Sequence, residues 1–216
     1  MTQFVQHTQA SAPEASRPLL DATERAWKFV PTLQATLAES PVTLEGYSKL
    51  FELVGQSSLS PVEQQIAFLS ASVFHECEYC SMGHTYLARS VKVPEQAITA
   101  VRESLPIDDP KLEALRQFTQ AVIRERGFVG DPATARFLQA GFTPAQLLEV
   151  VLVIATKTIS NYVNHIAHTP KESFMDDPGL KWVSPRNREA AARLGAAGRL
   201  GAAGRLGAAG RLGAAQ

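Results

Sequence analysis

Cysteine is scarce in this chain. There are two among 216 residues, Cys77 and Cys80, and they stand together. A disulfide framework spreads a larger number of cysteines along a short secreted chain, so that class is excluded. One isolated C-x-x-C points instead to redox or metal chemistry. Surplus charge is missing too: Lys+Arg and Asp+Glu both total 21, and no basic block occurs. There is no electrostatic reason to expect nucleic acid or an anionic membrane as partner. No apolar run approaches the roughly 18 residues that cross a bilayer, and the longest, Val150 to Ala155, has the length of a buried segment. Residues 1–18 lack the basic-then-apolar order of a secretory signal. The expectation is a soluble, cytoplasmic protein without membrane or nucleic-acid partners. No glycine-rich phosphate loop lies between a strand and a helix, so no bound organic cofactor is expected. No alternating or hairpin pattern marks a strand.

What remains is helix after helix. Hydrophobic residues make up 45% of the chain, enough to bury a core. Ser60-Pro61-Val62-Glu63 sets a cap, a first-turn proline and an acid at the third position. Ile66, Leu69, Val73 and Phe74 follow at helical spacing to about Glu76. A second helix runs from the cysteine pair to Ser90, and Val93-Pro94-Glu95 starts a short third. Asp109-Pro110 starts a longer one that Gly127 ends. Thr143-Pro144-Ala145-Gln146 opens the last, which continues past Tyr162 to about Ala167. The fold class is all-α. Residues 19–183 form the domain, with Trp27 and Trp182 as packing anchors near its ends. Residues 1–18 read as a flexible lead-in. Residues 184–216 read as a low-complexity tail, disordered or frayed, in which Arg-Leu-Gly-Ala-Ala-Gly repeats from Arg193.

The strongest local feature is Cys77-x-x-Cys80-x-x-x-His84. Thiols in the first turn of a helix meet free N–H groups and the positive end of the helix dipole, which favour thiolate. Two residues between the sulfurs let one resolve an oxidised form of the other. His84 lies one turn beyond Cys80 and can exchange a proton with it. Glu76 and Glu78 work against thiolate. A zinc site built from His75, Cys77, Cys80 and His84 is the main rival reading. A merely structural pair of small buried cysteines is the other.

The segment Leu59-Ser60-Pro61-Val62-Glu63-Gln64-Gln65, then Cys77-Glu78-Tyr79-Cys80, then Gly83-His84 closely resembles the alkylhydroperoxidase AhpD-like / carboxymuconolactone decarboxylase family. Ala140-Gly141-Phe142-Thr143, Leu148 to Val153 and the stretch Asn161 to Ala167 with Thr169-Pro170 look like its later parts. The resemblance implies a compact multi-helix fold that assembles into homo-oligomers, often trimers or hexamers. In the peroxidase-related branch the second cysteine attacks peroxide and the first resolves it. Carried over, Cys80 attacks, Cys77 resolves and His84 relays protons. Similar proteins are re-reduced by a lipoyl or thioredoxin-type dithiol.

One position departs from the family pattern. A relay Glu twelve residues before the first cysteine is Gln65 here, which can orient a group but cannot accept a proton. Glu63 should face elsewhere, about 200° around the helix. Glu76 is the acid that could substitute, and His165 a further accessory candidate beside Asn161 and Asn164. The sequence reading is thus a peroxidase acting on hydrogen peroxide or organic hydroperoxides through Cys80, Cys77 and His84, with no metal and no cofactor. The alternatives are a decarboxylase-type enzyme indifferent to both thiols, and a redox-sensing or zinc-binding module without turnover.

Overall fold

The computed structural model describes residues 4–193, and among these every regular element is a helix. They are α1 (Arg17–Trp27), α2 (Thr32–Leu37), α3 (Pro41–Gly55), α4 (Pro61–Phe74), α5 (Glu78–Ser90), α6 (Glu95–Arg102), α7 (Pro110–Arg124), α8 (Gly130–Gln139) and α9 (Pro144–Ala167), with short 3-10 turns at Glu14–Ser16 and Ser173–Asp176. The described residues divide into two units, one ending at Trp182 and the other beginning at Val183. In the second, residues 185–193 are helical and Ser184 Oγ accepts the Asn187 N–H at 3.2 Å. The repeat tail lies, after Arg193, outside the described residues.

The start signals are real caps. Ser60 and Glu63 satisfy each other's backbone N–H groups at the head of α4, as do Thr143 and Gln146 at the head of α9. Glu63 also pairs with Lys111 at 2.7 Å, which takes its carboxylate away from the thiols. The helix α7 stops at Arg124, and Gly127 (φ 88°) shapes the turn beyond it. The lead-in has more anchors than its composition suggests. His7 N–H donates to Ala35 O at 3.0 Å, Ala12 and Ser16 are buried, and Ser16 Oγ donates to Ala38 O.

Two apolar clusters fill the first unit. The larger joins α4 to α5, α6, α7 and α9, and the smaller holds Leu20, Leu33, Leu37, Leu44 and Tyr47. Phe51 and Tyr79 pack against both. A file of rings crosses the boundary: Trp27 on Phe51 at 5.7 Å, Phe51 stacked on Phe68 at 5.4 Å, and Phe68 stacked on His84 at 4.7 Å. Phe68→Ala should therefore cost about 3–5 kcal/mol of stability, read from the denaturant midpoint. A loss below about 1 kcal/mol would show that the two clusters do not depend on this ring. Trp182 is buried and its indole N–H donates to Arg102 O at 2.9 Å, as an anchor should. Trp27 is half-buried.

Candidate active site

A tight turn between α4 and α5 positions the thiols. Glu76 N–H bonds Val73 O and Cys77 N–H bonds Ser72 O, both at 3.0 Å, which is a Schellman arrangement. Glu76 takes the left-handed position usually given to glycine (φ 56°), at a cost of roughly 1–2 kcal/mol for a residue with a Cβ. The chain then extends, so Cys77 becomes the N-cap of α5 and its Sγ accepts the Cys80 N–H at 3.4 Å. Cys80 sits in the first turn, in the field of the helix N-terminus.

Both thiols are free and buried, but they face different surroundings. Cys80 lines a cavity of about 200 Å³ whose walls include Trp27, Phe29, Tyr47, Phe51, Tyr79 and Phe174. Cys77 is not among the residues lining it. A small molecule in this cavity meets Cys80 first.

The other side of the dithiol comes from α9. Asn164 Nδ2 donates to Cys80 Sγ at 3.1 Å and lies 3.7 Å from Cys77 Sγ. Ser160 Oγ is 3.9 Å from Cys80 Sγ. Lys157, 2% exposed, donates from Nζ to His84 Nε2 at 3.0 Å. An ammonium has no lone pair, so Nε2 is the acceptor and the ring proton sits on Nδ1. That N–H faces Gln65 Oε1 at 3.0 Å. His84 is therefore a neutral imidazole of fixed tautomer, held between an amide and an ammonium and stacked on Phe68.

The electrostatics follow. Burial alone would push the Cys80 thiol up. The Cys77 hydrogen bond, the Lys157 ammonium with its charge and hydrogen bond, and the Asn164 amide reverse that, and the net shift is downward. Cys77 moves the opposite way, through its hydrogen bond to Cys80 first and burial second. The site thus favours ionisation of Cys80 over that of Cys77.

Burial first and the Lys157 charge second hold His84 well below the ordinary histidine range. His75 moves the same way, through burial, then His165 and Lys157. A depressed folded-state value means the unfolded chain takes the proton first. This stability is present above about pH 6.5 and is lost as pH falls. His84 alone should remove roughly 1.4 kcal/mol per pH unit below that point. Denaturant midpoints at about pH 7.5 and about pH 5 should show the fall, and equal midpoints would contradict a neutral buried His84.

Of the residues anticipated from sequence, Cys77, Cys80, His84 and Gln65 are brought together. Gln65 is buried and orients His84. Glu76 supplies the turn and does not line the cavity, and His165 is exposed. Asn164 does reach the dithiol. Tyr79 is a cavity wall, its hydroxyl donating to Glu172 Oε1 at 2.8 Å. The four ligands of the zinc alternative do not converge. Among the described residues no three His, Cys, Asp or Glu side chains are grouped to hold a metal ion.

Lys157 and Ser160 were not anticipated. The signal was present: the buried face of α9 runs Val150, Val153, then Lys157, Ser160, Asn161 and Asn164, all at helical spacing and all buried. The apolar stripe turns polar without leaving the core.

Residues 41–121 match the model of the carboxymuconolactone decarboxylase family. No curated protein sequence matches the chain. The fold is that of the alkylhydroperoxidase AhpD core of an uncharacterised peroxidase-related protein from Ralstonia eutropha JMP134. That structure has a TM-score of 0.72 and 18% identity over 84% of this chain and 100% of the other. A peroxidase-related protein from Silicibacter sp. TM1040 gives a TM-score of 0.69 and 15% identity over 82% and 95%. The debrominase Bmp8, as a cysteine-to-alanine variant in complex with 2,3,4-tribromopyrrole, gives 0.65 and 16% over 80% and 93%.

Proposed function

Because residues 41–121 match the model of the carboxymuconolactone decarboxylase family and the fold is that of peroxidase-related AhpD-core proteins, we propose that the chain is a thiol-dependent peroxidase. The observation that carries this reading is the asymmetry of the thiols: of the two, Cys80 alone lines the cavity, and it is the one whose ionisation its surroundings favour. Cys80 sulfur attacks the outer oxygen of a hydroperoxide, the O–O bond breaks, and an alkoxide leaves with a proton. The resulting sulfenic acid is displaced by the Cys77 thiol, which releases water and leaves a disulfide. The aromatic walls suit an organic hydroperoxide. An external dithiol, of lipoyl or thioredoxin type, restores the pair. Assembly as a homo-oligomer (trimer or hexamer) and residence in the cytoplasm, where such reductants occur, belong to the same reading. No single helix among the described residues is long and apolar enough to cross a membrane.

Free thiols counted before and after one equivalent of organic hydroperoxide test the proposal, with metal content measured on the same sample. Two should fall to none. Two thiols that persist in metal-free protein would remove the peroxidase reading and leave the decarboxylase-type one, in which both thiols are dispensable. Thiols protected by a stoichiometric metal would favour the metal-binding module.

A second reading draws on the cavity's ring-lined walls and on the likeness to a protein solved with a brominated pyrrole. The same dithiol can supply two electrons to a halogenated ring, which gains hydrogen and loses halide as the disulfide forms. Halide release without hydroperoxide turnover would select it.

A further inference from the structure

The peroxidase step needs a proton for the leaving alkoxide, and the groups around the thiols narrow its source. His84 cannot give one readily: its only ring proton is committed to Gln65 and its other nitrogen is an acceptor. Gln65 has no proton to give at neutral pH. Tyr47, buried on α3, is pushed up by burial first and then by the Cys80 charge, so it keeps its proton. Tyr79, in the cavity wall, is held up by burial and by Glu172. Glu172 accepts from Tyr79 and from Thr32 N–H. His75, at the end of α4, is held neutral. Asn164 and Ser160 do not titrate. Among the described residues no carboxylate lies within ion-pair distance of Lys157, whose counter-charge is the Cys80 thiolate.

That pairing has a consequence once Cys80 is oxidised. The thiolate disappears into a disulfide, and the ammonium is left buried without its counter-charge, which is costly. Resting on the peroxidase reading, we infer that Lys157 is the proton carrier of both half-reactions, giving its proton to the leaving alkoxide and later taking one from the reducing dithiol. The forward balance is thiolate, thiol, ammonium and ROOH to disulfide, amine, ROH and water. The return balance is disulfide, amine and a dithiol to thiolate, thiol, ammonium and the reductant's disulfide. The site is electrically neutral before and after each, so no proton crosses from bulk water into the core. Lys157 also lines the cavity with Cys80 and His84, where both the alkoxide and an incoming thiol would sit.

The test counts that proton without using peroxide. The whole protein is equilibrated with a reference dithiol of ordinary thiols between about pH 6 and pH 7.5, where those stay protonated, and the Cys80 thiolate is followed by its ultraviolet absorbance. With thiolate present throughout, the exchange constant should be flat with pH, since Lys157 takes the proton that the new thiolate gives up. A constant that rises tenfold per pH unit means the proton goes to solvent, and overturns the inference. So does absence of thiolate in this range. In Lys157→Arg the guanidinium stays charged, so the flat line should become the tenfold rise. If that variant does not fold, the native pair of measurements decides alone. A flat constant in a protein inert to hydroperoxide would sink the peroxidase reading while leaving the lysine's proton exchange with thiols in place.

Discussion

Cys80→Ser protein should consume organic hydroperoxide on the order of a thousandfold more slowly than the unaltered chain, or slower still. Cys77→Ser should complete one fast turnover and then stop. The difference follows from position. A hydroxyl at residue 80 would sit at the same cavity wall beside the same ammonium, but an alcohol is a far weaker nucleophile than a thiolate. A serine hydroxyl at residue 77 can still hydrogen-bond the Cys80 sulfur, so the attack survives, while the group that expels water from the sulfenic acid is lost. Cys77→Ser should therefore accumulate a sulfenic acid that a carbon-acid trapping reagent labels at Cys80, detected by mass. Equal losses in the two variants, or label on Cys77 in Cys80→Ser, would reverse the assignment of attacker and resolver. Activity retained in both would point to chemistry that does not use the dithiol.

Lys157→Met should separate chemistry from stability. The methionine fills similar volume without charge, and replacing a buried charged group with an apolar one of similar size is often neutral or stabilising. Cys80 can meet the loss of its partner by keeping its proton, so the fold should survive with a midpoint close to the original. The rate at neutral pH should fall about a hundredfold to ten-thousandfold, the range for losing a positioned proton-transfer group. Without the ammonium, burial pushes the Cys80 thiol up. The pH–rate profile should accordingly shift toward alkaline pH, with activity recovering as pH rises. An acid limb that does not move would show that Lys157 leaves the nucleophile's ionisation untouched.

The contrast between these two residues measures what the sequence could and could not convey. Cys80 was legible because its meaning is local: the cysteine spacing, the turn and the first helical turn all lie within one short segment. The caps at Ser60, Asp109 and Thr143 were legible for the same reason, since a cap is a bond between residues a few positions apart. Lys157 carries no such neighbourhood. A lysine inside a helix reads as a solvated face, and only the packing of α9 against α5 and α4 buries it against His84. Gln65 was found through its departure from a pattern, but its partner could not be, because the bond spans two helices. The helix α8 escaped notice for a different reason. It opens on Gly130-Asp131-Pro132 and buries only Phe137, so its stripe is too thin to stand out.

The division of the site between α5 and α9 also bears on the life of the chain before it is folded. In an extended or partly assembled polypeptide, Cys80 has neither the ammonium nor the Asn164 amide nearby. Its thiol then behaves as an ordinary one, with a pKa of about 8.5 and little thiolate at neutral pH. Oxidants met during synthesis find a poor target, because the stretch that awakens the sulfur is made later and must dock first. Reactivity is thus acquired at the end of maturation, and a misassembled copy remains chemically quiet.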